Sequence, residues 1–289
     1  AWQRYRNGEV LPLKTRVDQT PVVPETQYMT PSPSNIKDAL EILIGQIDRE
    51  GYIYQPWQIA GYITALRTRP FVILAGVSGT GKSRLPALIA KLTAMPAPQR
   101  IAVRPDWNDS SEVLGYIDLQ HRFRPGVVLQ QMRTAVAAPQ HFHTCLIDEM
   151  NLARVEYYFA ELLSSIEDCV TDPNGGFRST PVLMQQLPSE DAQWQQQYLP
   201  SNLALVGTVN MDESTHSFSR KVLDRAFTIE LSHIDFYTHG VSPAQSSPPS
   251  PWTADMLISR FHRVTDIPAD DTEFFEDSAT HKRPAHQPE

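Results

Sequence analysis

The run from Pro70 to Ser83 constrains this chain more than any other. Phe71-Val72-Ile73-Leu74-Ala75 is a continuous apolar segment, as expected of a strand covered on both faces. It passes directly into Gly76-Val77-Ser78-Gly79-Thr80-Gly81-Lys82-Ser83, and a helical pattern spans Ser83 to Met95. Strand, glycine-rich turn and helix in that order form a phosphate cradle. The glycines let the backbone curl until successive N–H groups face an anion, and the helix N-terminus adds its positive dipole end. Lys82 is placed to reach the β- and γ-phosphates, and the Ser83 hydroxyl to coordinate Mg²⁺. Gly76, Val77, Ser78, Gly79, Thr80, Gly81, Lys82 and Ser83 are therefore the expected binding residues, with a nucleoside triphosphate, ATP or GTP, as the substrate.

Four further apolar runs repeat the strand pattern. They are Ile101-Ala102-Val103, Thr144-Cys145-Leu146-Ile147, Leu203-Ala204-Leu205-Val206 and the weaker Phe227-Thr228-Ile229-Glu230-Leu231. A second helical stretch, Ala153 to Asp168, carries Val155, Tyr158, Phe159, Leu162, Leu163 and Ile166 on one face. Alternating strands and helices predict an α/β three-layer sandwich around a central parallel five-stranded sheet. In such a sheet Asp148-Glu149, closing the apolar strand 144–147, falls at the carboxyl edge beside the cradle. Asp148 is expected to join Ser83 in holding Mg²⁺, and Glu149 to orient and polarise the attacking water. Asn210 ends the fourth strand, where its amide faces the γ-phosphate or that water. Arg225, and next to it Arg220, stand before the fifth strand as candidates for a charge supplied to a neighbouring subunit.

The flanks read differently. Residues 1–34 are polar and proline-bearing, an extended arm. Residues 35–69 hold a helix capped by Asn35 and closed by Gly51, then a second helical stretch from Trp57 to Leu66. The core spans 70–232. Asp172-Pro173-Asn174-Gly175-Gly176 predicts a hairpin turn before the fourth strand, and the Gln-rich residues 185–197 a surface segment. Residues 233–289 form a Pro/Ser-rich linker, one short helix near Ala254 to Val264 and a tail without a folding pattern. A chain of 289 residues with net charge −8 carries no global basic field for nucleic acid or an anionic membrane. Two cysteines, Cys145 and Cys169, make neither a disulfide framework nor a metal knuckle, which suits a reducing cytoplasm. His141 and His143 lack the partners of a zinc site. Trp107 and Tyr116 offer stacking surfaces, with packing against the core the stronger expectation for each.

In this order and spacing the glycine loop, Asp148-Glu149, Asn210 and Arg225 resemble an AAA+ ATPase core. Leu146-Ile147-Asp148-Glu149-Met150-Asn151-Leu152-Ala153-Arg154 is similar to the McrB-type and dynein-related branch. So are Arg104-Pro105-Asp106-Trp107-Asn108-Asp109, Leu114-Gly115-Tyr116 and Gly207-Thr208-Val209-Asn210-Met211-Asp212-Glu213-Ser214. The resemblance covers roughly residues 36–232. It implies a sensor-1 role for Asn210, an arginine finger at Arg225, and a substrate- or partner-facing loop over 105–116. It further implies a homo-oligomeric ring, a nuclease subunit as partner, and DNA contacted indirectly in a restriction or phage-defence system. A MoxR-like remodelling ATPase and a nucleotide-binding module with little turnover are the alternatives. Val209-Asn210-Met211-Asp212 departs from the Met-Asn-Thr-Ala-Asp pattern of the restriction GTPases, which favours ATP. No sensor-2 arginine is assignable, and the helical lid after the fifth strand is mostly absent. With a first residue other than Met, this reads as a truncated homologue whose ring is weakened.

Overall fold

The computed structural model describes residues 36–171, 177–211, 216–232 and 252–258. Its first helix, α1 (Ile36–Arg49), buries Ala39, Leu43 and Ile47, one residue per turn on a single face. It stops at Gly51, whose φ of 79° a side chain tolerates poorly. The proposed cap Asn35 lies outside the described residues. Helix α2 (Pro56–Thr68) starts on a proline, whose missing N–H costs nothing in a first turn. It leads through Pro70 into β1 (Phe71–Gly76), every residue of which is buried. Each large side chain of such a strand contributes about 1.5–3 kcal/mol by leaving water.

After β1 come α3 (Arg84–Leu92) and β2 (Gln99–Ala102), then a small antiparallel ribbon of β3 (Gly115–Ile117) and β4 (Phe123–Pro125). Helix α4 (Val127–Ala137) returns the chain to β5 (His143–Asp148). The stretch expected to form one helix from Ala153 to Asp168 is two: α5 (Val155–Tyr158) and α6 (Ala160–Glu167). Phe159 leaves helical geometry between them, with φ −108° and ψ 8°. Its ring packs against those of Phe71 and Tyr158, so the break serves the core. The predicted apolar stripe holds nonetheless, since Val155, Tyr158, Phe159, Leu162, Leu163 and Ile166 are all buried.

A second ribbon pairs β6 (Cys169–Thr171) with β7 (Phe177–Ser179), the hairpin that the turn residues announce. The turn itself, 172–176, lies outside the described residues. The Gln-rich segment is more than surface. It includes α7 (Ala192–Gln195), buries Leu187, and lays Trp194 under the Arg133 guanidinium at 4.7 Å. The chain then forms β8 (Leu203–Asn210), the short α8 (Arg220–Leu223) and β9 (Phe227–Glu230).

Five strands pair in the order β2-β5-β8-β1-β9, all in parallel. This is the predicted sandwich. One apolar cluster covers each face: Trp107, Met132 and Tyr158 belong to one, and α1, α2 and α3 supply much of the other. Of the expected terminal helix, α9 (Ala254–Leu257) is described and packs Trp252, Ala254 and Leu257 into the second cluster. The arm 1–34, Asp212 to Ser214 and the linker and tail apart from 252–258 lie outside the described residues. Among the described residues no helix is long and apolar enough to cross a membrane.

Candidate functional site

Parallel pairing brings the ends of β1, β5 and β8 to one edge, and there the predicted residues meet. Gly76 pairs with Asn210, and Ile147 with Gly207, so the glycine loop, Asp148 and Asn210 sit side by side. A cleft of about 350 Å³ opens between them, lined by Ser78, Gly79, Lys82, Ser83 and Arg84 on one side. Arg100, Asp148, Glu149, Thr208 and Asn210 line the other.

The loop needs its glycines. Gly79 and Gly81 have φ of 85° and 86°, and a Cβ on Gly81 would stand 2.4 Å from the Tyr54 hydroxyl. That hydroxyl donates to the Gly81 carbonyl at 3.0 Å, so the segment before α2 braces the loop from behind. Lys82 is 6% exposed, and its ammonium donates to the carbonyls of Gly76 at 3.0 Å and Val77 at 2.6 Å. Burial pulls its pKa below the usual lysine value, while the charges of Asp148 and Glu149 oppose that shift.

Asp148 is the hub of the opposite wall. One carboxylate oxygen, Oδ1, accepts from the Ser83 hydroxyl at 2.7 Å and from the Thr208 hydroxyl at 2.7 Å. The other, Oδ2, accepts from Arg100 Nε at 3.0 Å and from Arg100 Nη2. Burial raises the Asp148 pKa, but the two hydroxyls and Arg100 outweigh it and hold the carboxyl below its ordinary range. A group shifted this way adds stability above the ordinary carboxylate range, and that stability fades as pH falls through its lowered value.

Glu149 is exposed and has a left-handed backbone, φ 53° and ψ 47°. Such geometry in a non-glycine residue costs about 1–2 kcal/mol and persists only when its surroundings hold it. Here the Glu149 N–H donates to Thr208 Oγ1 at 3.0 Å. Its carboxylate Oε1 accepts from Asn210 Nδ2 at 3.1 Å, and buried Asn151 donates to the Asn210 carbonyl at 2.9 Å. The carboxylate is thus aimed into the cleft from a fixed turn.

Thr208 was within reach of sequence reasoning. Two residues before Asn210 on one strand, it shares that residue's face. One buried hydroxyl donates to Asp148 and accepts from the Glu149 N–H, so it sets both acids. Thr208→Val, of equal shape, is expected to lower turnover by about tenfold or more while leaving nucleotide affinity within a few-fold. Thr208→Ser should restore most of the loss. Steady-state kinetics with binding titrations check this, and a Val variant with parental turnover would contradict it.

Two oxygen donors, Ser83 Oγ and Asp148 Oδ1, stand 2.7 Å apart at the cleft floor. Hard oxygen ligands from one hydroxyl and one carboxylate, with room left for phosphate oxygens and waters, suit Mg²⁺. Among the described residues no cluster of three or more His, Cys, Asp or Glu forms another metal site. His143 is buried, and burial lowers its pKa.

Arg225 is elsewhere. It precedes β9, whose Phe227 pairs with Val72 near the beginning of β1, so it stands at the opposite edge of the sheet from the loop. It forms an ion pair with Glu167 and donates to the Lys221 carbonyl at 2.8 Å. With Arg69, Glu167 and Cys169 it lines a separate cleft of about 410 Å³. That second cleft is the larger, but it holds neither the glycine loop nor the acidic pair. Arg220 begins α8 and is not among the residues lining that cleft. Trp107 is 6% exposed and meets Tyr158 edge-on, so its role is packing, whereas Tyr116 is 53% exposed.

A glycine cradle and an acidic pair at the carboxyl edge of a parallel sheet define the P-loop NTPase class. Within that class the chain belongs to the AAA domains of the dynein-related subfamily, whose family model matches residues 71–228. Among curated proteins none matches its sequence. A solved structure from Cytophaga hutchinsonii, provisionally named an ATPase, is similar at 17% identity with a TM-score of 0.45. The similarity covers 78% of this chain and 60% of that protein, so this chain spans less than two thirds of its length.

Proposed function

We propose that the chain binds and hydrolyses ATP with Mg²⁺ as a motor module working beside further copies of itself. The observation that supports this best is the convergence of Lys82, Ser83, Asp148, Glu149 and Asn210 on one cleft. Ser83 and Asp148 would hold the metal, which when bound neutralises phosphate charge. The backbone of the loop and Lys82 bind and orient the phosphates. Asn210 fixes the Glu149 carboxylate, which takes a proton from a water aimed at the γ-phosphate. Positioning and electrostatics do the rest, since phosphoryl transfer asks little covalent chemistry of the protein.

Base preference follows from what the cradle does not read. The loop would contact phosphates and not the base, and the sequence after Val209-Asn210 departs from the GTPase pattern. Competition binding should show ATP accepted at least as well as GTP; a hundredfold preference for GTP would overturn that.

The role of Arg225 concerns assembly. It cannot serve its own loop from the far edge of the sheet, so as an arginine finger it would act on a neighbour after leaving Glu167. Such a finger contributes about 10³-fold or more to turnover. Mixing Arg225→Ala with Lys82→Ala is therefore expected to recover activity that neither variant shows alone. Turnover linear in protein concentration, no recovery on mixing, and a fully active Arg225→Ala would leave a module that works alone. The likeness of Leu146 to Arg154 to the McrB-type branch supports a setting in modification-dependent DNA restriction, with a nuclease subunit as partner in the cytoplasm. Stimulation of turnover by DNA would favour it over a MoxR-like role on protein partners.

A further inference from the structure

Arg100 belongs to none of the phosphate or acid motifs, yet it enters the cleft. It lies on β2, an edge strand of the central sheet, with its side chain 62% exposed. Register places it opposite Leu146, and its guanidinium reaches forward to Asp148 Oδ2 through both Nε and Nη2. The two hydroxyls occupy Oδ1, so Arg100 takes the second oxygen of the carboxylate expected to hold the metal. Among the described residues lining the cleft, Lys82, Arg84 and Arg100 are cationic and Asp148 and Glu149 anionic, three charges against two. Without Arg100 the balance would be even.

We propose that Arg100 is the counter-ion of Asp148 and makes metal binding conditional on nucleotide. A lone divalent cation arriving at this cleft meets a carboxylate whose charge the Arg100 guanidinium already balances through two hydrogen bonds to Oδ2, in a lining of net positive charge. A metal carried in on a triphosphate brings added negative charge and phosphate ligands, so its binding beside Asp148 is favoured over that of the free cation. The ion pair disfavours free cations at Asp148, and the net positive lining attracts the anionic triphosphate that carries the metal. The inference rests on the assignment of Ser83 and Asp148 as metal ligands. Arginine suits the task because its planar fork spans one carboxylate oxygen with two donors, which an ammonium does not reproduce.

The test is Mn²⁺ binding to nucleotide-free protein, followed by the loss of the free-ion electron paramagnetic resonance signal. Three variants are needed: Arg100→Ala, Arg100→Lys and the double variant Arg100→Ala with Asp148→Asn. The parent is expected to take up Mn²⁺ weakly, and Arg100→Ala about two- to fivefold more tightly, consistent with one ion pair of partial exposure. Arg100→Lys should fall between them, and the double variant should lose the gain. Arg100 is exposed on an edge strand; thermal unfolding checks that each variant is folded, and Arg100→Gln replaces Arg100→Ala, alone or in the double variant, where that does not fold. Equal Mn²⁺ affinity in the parent and Arg100→Ala, or a gain that survives Asp148→Asn, overturns the inference. Isothermal titration of the parent with Mg²⁺–ATP runs alongside. If the parent binds Mg²⁺–ATP while Arg100 has no effect, only this inference fails. If the parent binds no nucleotide, the proposed function fails with it.

Discussion

Lys82→Ala is expected to abolish measurable nucleotide binding, a loss of roughly a hundredfold or more in affinity. The ammonium is buried and donates to two carbonyls of its own loop, so it sits inside the turn that the phosphates enter. Removing one side of a desolvated charge contact costs about 2–5 kcal/mol, which at 1.4 kcal/mol per decade spans roughly one to four decades. The substitution also removes one donor from each of the Gly76 and Val77 carbonyls, which keep the Met211 N–H and the Thr80 hydroxyl respectively, and part of the effect will appear as a looser loop. Thermal unfolding without nucleotide separates the two contributions. A melting temperature near that of the parent with binding lost assigns the effect to the phosphates. Isothermal titration reads the affinity, and a variant that binds within a few-fold of the parent would remove Lys82 from the site.

Glu149→Gln should behave in the opposite way. Gln keeps the size of the side chain and can still accept from Asn210 Nδ2, so the cleft and its affinity for nucleotide should persist. The amide cannot take a proton from water, and loss of a positioned base lowers turnover by about 10²–10⁴-fold. The left-handed turn at Glu149 sharpens the comparison, because its backbone tie to Thr208 is unchanged by the substitution. Binding retained with turnover lost is therefore a statement about chemistry and not about folding.

The contrast between these variants follows a division that runs through the whole site. Residues that act through one contiguous stretch were legible in the sequence. The loop from Gly76 to Ser83 is one, and the acidic pair closing an apolar strand is another. The five strands were legible as well, because runs such as Phe71 to Ala75 and Leu203 to Val206 are apolar on both faces and demand a covered sheet. The ribbon of β3 and β4 was missed: three-residue strands carry too short an alternation to register. Helix α4 followed it unnoticed, although Val128, Leu129, Met132 and Ala135 fall on one face. Its opening Val127-Val128 pair reads as strand when taken alone.

What remained hidden in the site is what register decides. Arg100 is 48 residues from Asp148 and Thr208 is 60, and only the parallel alignment of β2, β5 and β8 brings three separate segments onto one carboxylate. No periodicity within β2 announces that its Arg100 faces the cleft. The Arg225–Glu167 pair is hidden for the same reason, joining a helix end to a turn 58 residues later.

That this cleft cleaves the nucleotide it holds is testable in a single experiment. Parent and Glu149→Gln are each loaded with Mg²⁺–ATP, and bound nucleotide and released phosphate are followed in the same sample. Both should bind, the parent should convert bound ATP to ADP and phosphate, and Glu149→Gln should keep its ATP intact. Phosphate release from Glu149→Gln at the parental rate, or a parent that holds no nucleotide, would show that the cleft does not work in this way.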